Sequence, residues 1–174
     1  TDYPALVRQK KRRILQQHLA TEVDRLVRLL RTIIARRTLK PEAHPNELRN
    51  TLIEVIASFP VYRTYSQPET GLLSPADRNR VSRALAAARS LQPPPSLPAL
   101  RLLSDLLHLR LRGKLETDFV LRFQQLTGPA MAKGVEDTAF YCFNRSGALK
   151  AASVEPKRAG LPPTSFKAPE RLKQ

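Results

Sequence analysis

A mostly α fold, with one or two short extended segments, is the class this sequence predicts, and three observations predict it. Apolar residues recur by steps of three, four or seven along most of Leu6–Ile34, the stripe of an amphipathic helix. Ser74-Pro75-Ala76-Asp77 has the chemistry of a helix start: a hydroxyl for the free amides, a proline where no amide is needed, and an acid in the first turn. The interior is built from Leu and Ala, with aromatics at 6% and no Trp. At 174 residues the chain fits one ordinary domain.

Taken in order, a first helix is expected over about Leu6–Leu39, carrying Leu6, Ile14, Leu15, Leu19, Val23, Leu26, Val27, Leu30, Ile33 and Ile34. Lys40-Pro41 ends it, because a proline ring disfavours helix in the residue before it. A second helix over about Asn46–Ser58 puts Leu48, Leu52, Val55, Ile56 and Phe59 on one face, and Pro60 stops it. Val61-Tyr62-Arg63-Thr64-Tyr65, rich in β-branched and aromatic residues, reads as extended. The helix that starts at Ser74 reaches about Leu91. Four prolines within the seven residues Gln92–Pro98 make a connector. Two more helices follow, a leucine-dense one over about Pro98–Arg112 ended by Gly113, and one over about Leu115–Gln125. Leu126-Thr127-Gly128-Pro129 then reads as a break, and Ala130-Met131-Ala132 as a short buried strand or strand-like entry. Ser146–Gln174 has four prolines and six basic against two acidic residues, lacks core-forming periodicity, and is expected to be disordered.

The net charge of +15, from 30 basic and 15 acidic residues, raises a polyanion as partner. Its densest part is Arg8, Lys10, Lys11, Arg12 and Arg13, continued by Arg25, Arg28, Arg31, Arg36 and Arg37. Glu22 and Asp24 interrupt that run and no aromatic interleaves to stack on bases, so solvated helix faces are the favoured reading over nucleic-acid binding. A single cysteine, Cys142, excludes an intrachain disulfide and suits a reducing cytoplasm. No run of 18 uncharged apolar residues occurs, so no membrane span is expected. The opening Thr1-Asp2-Tyr3-Pro4 lacks both an initiator Met and an apolar signal core, and is expected to be the interior of a longer chain.

The densest chemistry lies in the fourteen residues Gly128–Tyr141, which combine a lysine, two adjacent carboxylates, two aromatics and two glycines. Gly134 permits close backbone approach or a positive φ. Lys133 serves either as a donor to a sugar hydroxyl or phosphate, or as the partner of a carboxylate. Glu136 and Asp137 are acceptors for hydroxyls, while Asp137-Thr138 serves equally as the cap of a helix over Thr138–Arg145. Phe140 and Tyr141 form a stacking platform for a sugar or, equally, the core aromatics of that helix.

The run Phe123–Tyr141 resembles the signature of bacterial maltooligosyl trehalose synthase, a member of the α-amylase superfamily. Ala57-Ser58-Phe59-Pro60-Val61-Tyr62-Arg63-Thr64-Tyr65 is similar to that family's phenylalanine-proline-valine-tyrosine-arginine segment. The helix with Lys10-Lys11 and Leu19–Leu26 resembles its helical insertion, so the likeness covers about residues 1–145.

The resemblance implies a helical insertion of an α-amylase-type (β/α)8 barrel enzyme, with the barrel incomplete here. Residues 1–127 would be the insertion, 128–145 a barrel-derived segment, and 146–174 a tail unlike the family. The family converts the reducing-end α-1,4 linkage of a maltooligosaccharide to α,α-1,1, by an intramolecular transglycosylation that uses two carboxylates and retains configuration. The released glucose must stay bound and water must be kept out, or hydrolysis wins. By resemblance, Lys133, Glu136, Asp137 and Tyr141 help form that glucose pocket, and Arg63 and Tyr65 are further candidates for binding the substrate. The catalytic carboxylates are expected outside this chain, on strands that precede the insertion and on a later histidine-aspartate motif. His18, His44 and His108 are the only histidines and none precedes an Asp. The chain alone is therefore expected to be catalytically silent, with maltooligosaccharide the partner of the whole enzyme and with no metal or cofactor. A basic helical adaptor for nucleic acid is the alternative.

Overall fold

A computed structural model describes residues 3–37 and 44–139; the expectations for 140–174, the tail included, lie outside the described residues. It contains α1 (Tyr3–Gln17), α2 (Ala20–Arg36), α3 (Pro45–Ala57), α4 (Pro75–Arg89), α5 (Leu97–Leu107) and α6 (Lys114–Met131), and then a π-helical segment, Ala132–Ala139. No strand forms among the described residues; one isolated antiparallel bridge joins Gln67 and Leu72. None of the described helices is long and apolar enough to cross a membrane.

The centre is α3, which packs against all five other helices. Leu48, Thr51, Leu52, Ile53, Val55, Ile56 and Ala57 are buried, so it is covered on nearly every side. Its start is a reciprocal cap: the Asn46 amide donates to His44 Nδ1 at 3.3 Å, and the His44 amide to Glu47 Oε2 at 2.9 Å. At the start of α4, Ser74 Oγ accepts from the Asp77 amide at 3.1 Å, as its sequence predicts.

Three boundaries differ from the sequence reading. The first expected helix is two, broken at His18-Leu19, where no Gly or Pro signals it. The apolar steps keep their phase across the break, so periodicity cannot reveal it. The two parts have different partners: α1 lies along the π-helical segment and α3, α2 along α3 and α6.

The helix expected to run to Arg112 stops at Leu107. There Leu109 adopts φ 59, its amide bonds Leu106 O at 3.0 Å, and the Arg110 amide bonds Asp105 O at 2.9 Å. These are the two bonds of a left-handed helix stop, usually built on glycine. Leu109 is 6% exposed, so burial of its side chain offsets the unfavourable backbone.

Last, the expected break at Leu126–Pro129 and strand at Ala130–Ala132 are absent. α6 runs through Pro129 to Met131 and the π-helical segment continues it. Proline normally ends or kinks a helix by removing one bond and crowding the preceding turn. Here Ala130 and Leu126 are buried in the core beside fully buried Phe123 and Phe119, so packing holds the continuation.

Gly134 is buried in this continuation, against α1. A Cβ there would lie 2.5 Å from Lys11 Cγ and about 3.0 Å from the Lys11 backbone, so glycine serves close helix packing. Gly134→Ala is expected to destabilise the protein by about 2 kcal/mol, the overpacking strain exceeding alanine's better helix preference. A chemical unfolding curve checks this; unchanged stability would mean that α1 moves aside freely.

Candidate functional site

Two segments far apart in sequence, Phe59–Ser66 and Phe123–Glu136, are joined side by side. At the bottom, Phe59 and Phe123 meet edge to face at 5.4 Å between ring centroids, both buried. Above them the buried carboxamide of Gln124 grips the loop. Its Oε1 accepts from Thr64 Oγ1 at 3.0 Å and from the Ser66 amide and Oγ at 2.8 Å, while its Nε2 donates to Ser66 O at 3.1 Å. Pairing both the amide and the carbonyl of Ser66, this side chain does what a neighbouring strand would do. The segment predicted as extended is thus held by a helix rather than by a sheet.

At the surface, Tyr62 OH donates to Glu136, which ties the loop to the π-helical segment. The Glu136 carboxylate, by accepting that proton, is the first cause holding the Tyr62 phenol above its usual pKa; burial and repulsion by the same charge add to it. Glu136→Gln should therefore let the Tyr62 phenol titrate at lower pH. NMR of the ring carbons reads this directly, and an unmoved titration would show that the contact does not persist in solution.

Arg63 and Tyr65 pair with each other, the guanidinium carbon 5.6 Å from the ring centroid. Tyr65 is 72% exposed, and its amide donates to the buried Asp77 Oδ2 at 3.1 Å, so α4 holds the backbone of an outward-facing aromatic. Asp77 also accepts from Arg80 at 2.8 Å. The acid predicted as a helix-start residue therefore has a second task.

Of the residues the sequence singles out, Glu136 joins the loop directly and Lys133 stands exposed three residues earlier on the same segment. Arg63 and Tyr65 lie on the loop beside Tyr62. Asp137 belongs to the π-helical segment by its backbone, its side chain lying outside what the structure describes, and Tyr141 lies outside the described residues altogether. Three residues gain roles that sequence reasoning did not assign: Tyr62, Gln124 and Lys11. Lys11 is 1% exposed and its Nζ donates to Phe59 O at 2.8 Å, which pins the start of the loop to α1. Burial lowers its pKa to about 8. A signal for it was present: Val7, Lys11 and Leu15 fall at steps of four, which puts the lysine on the stripe of a buried leucine.

The two segments carry exposed groups able to hydrogen-bond a polyhydroxylated ligand: the Glu136 carboxylate with the Tyr62 phenol, the Lys133 amine, and Tyr65 with Arg63 against its ring. No group of three metal-ligating side chains occurs among the described residues. Comparison with known protein families, curated proteins and solved structures finds no match to this chain.

Proposed function

We propose that this chain forms a helical insertion and one wall of the reducing-end glucose pocket of an enzyme resembling maltooligosyl trehalose synthase. The observation that carries the reading is the junction of its two family-like segments. They are the parts of the chain that Tyr62–Glu136, Gln124–Ser66 and Phe59–Phe123 bring together. Lys133, Glu136, Asp137 and Tyr141 hydrogen-bond the retained glucose, and Arg63 and Tyr65 are further substrate-binding candidates. The catalytic carboxylates come from other parts of the enzyme, and the chain by itself performs no transglycosylation.

Two measurements test this. Incubation with maltopentaose should leave the reducing ends intact, and their loss would overturn the claim of silence. Titration with maltopentaose should shift the amide signals of Tyr62, Arg63, Lys133 and Glu136 weakly, at millimolar ligand. Shifts elsewhere only, or none, would refute the sugar-wall assignment. The alternative adaptor reading rests on the +15 charge. It requires retention on DNA or RNA that falls steeply as salt is raised.

A further inference from the structure

A groove of about 430 Å³ runs between α4 and α5 and shares no residue with the Phe59–Ser66 and Phe123–Glu136 junction. Ser82, Leu85, Ala86 and Arg89 line it from α4, at the steps of three and four that mark one helix face. Leu97, Leu100, Arg101 and Ser104 line it from α5 at the same steps. The walls are joined at one end, where Ser82 Oγ lies 3.1 Å from Nε2 of the buried His108. Arg89 is seven residues from Ser82 and Arg101 seven from His108, both toward the 90–96 connector. The two arginines therefore stand two turns, about 10 Å, from the same junction and at the same level on opposite walls.

No acidic side chain is among the lining residues. Arg110, two residues past His108, is paired with Asp105 at 3.0 Å. Arg89 and Arg101 are exposed and make no ion pair or hydrogen bond among the described residues. Two unneutralised guanidiniums on one groove raise its potential and offer forked donors from both walls. Ser104 adds a third donor. His108 Nδ1 donates to Ser104 O at 2.8 Å, so Ser104 Oγ, 3.3 Å from that nitrogen, can only accept from it. The hydroxyl keeps its own proton for a ligand in the groove. Leu85, Leu97 and Leu100 supply apolar wall, and Leu97 is half-exposed.

We propose that this groove binds a small phosphate monoester, with the phosphate between Arg89 and Arg101 and the organic part on Leu97 and Leu100. A monoester carries close to two negative charges and three terminal oxygens, enough to occupy both forks and the Ser104 hydroxyl at once. A carboxylate, with two oxygens, fills a single fork and leaves the other arginine unmatched. The groove has the volume of a small-ligand site. It stands or falls apart from the glucose pocket, since the two share no residue.

The test is titration of the whole chain with phenyl phosphate at physiological salt, followed by NMR of the backbone amides and arginine Nε–H groups. Signals of Arg89, Arg101 and Ser104 should move at millimolar ligand. Inorganic phosphate should bind several-fold more weakly, because it leaves the leucines uncovered. Arg89→Gln and Arg101→Gln should each weaken phenyl phosphate binding about tenfold. Arg83→Gln removes the same charge from an exposed position on α4 outside the groove, and should weaken it less than about twofold. No shift at the groove, or equal losses in all three variants, overturns the proposal. So does a short DNA strand that binds more tightly than phenyl phosphate through the same arginines, since a diester backbone would then be the ligand.

Discussion

Replacing Gln124 by leucine should cost about 3–4 kcal/mol of stability, although the substitution adds apolar surface to a buried position. Leucine fills a similar volume, but the Ser66 amide, the Ser66 carbonyl and the Thr64 hydroxyl lose their partner together. A buried polar group left unpaired loses roughly 1–3 kcal/mol. Gln124 is 2% exposed, Thr64 3% and Ser66 7%, so little water reaches them in compensation. In urea the midpoint should fall with an unchanged slope, and amide exchange at Tyr65 and Ser66 should accelerate more than exchange in α3. A loss below about 1 kcal/mol would show that the loop holds its shape without α6. The junction beneath the proposed sugar face would then be incidental.

The second large effect is a pH dependence from Lys11. Its pKa is about 8 in the folded chain against 10.5 for an ordinary lysine. Between those values the unfolded chain binds more protons than the folded one, so raising the pH favours the fold. Below pH 8 the ammonium is buried at full cost, and above 10.5 that cost is gone. The gain across the window is on the order of 3 kcal/mol, because each pH unit within it contributes about 1.36 kcal/mol. Lys11→Met removes the titration and leaves Phe59 O without its donor, a loss of about 1 kcal/mol that does not vary with pH. The stability of the natural chain relative to Lys11→Met should therefore climb between pH 8 and 10.5. Comparing the two cancels the tyrosines that titrate in the same range. A difference that stays flat would mean that water reaches Nζ.

The same two residues show why part of the site was legible and part was not. Tyr62, Glu136 and Gln124 all lie in the segments whose chemistry draws attention in the sequence, so the parts were visible. Their partnership was not, because Tyr62 and Glu136 are 74 residues apart and no local rule links them. Lys11 looked like one cation in a basic block, and its step of four to Leu15 was the only trace of burial. Pro129 misled in the opposite direction. The local rule against proline in a helix is sound, yet the buried faces of Leu126 and Ala130 and the packing of Gly134 on Lys11 outweigh it.

By itself the sequence determined where most helices lie, how α4 is capped, and which faces are apolar. Those features depend on hydrogen bonds and side-chain spacings that span a few residues, and such short-range terms are written directly in the order of amino acids. Only the tertiary structure decided that the first helix is two, that α6 passes through Pro129, that Lys11 is buried, and that the Phe59–Ser66 loop meets the Phe123–Glu136 helix. Each of these is set by contacts between distant segments. There, close packing and the pairing of buried polar groups override the local preference of the chain.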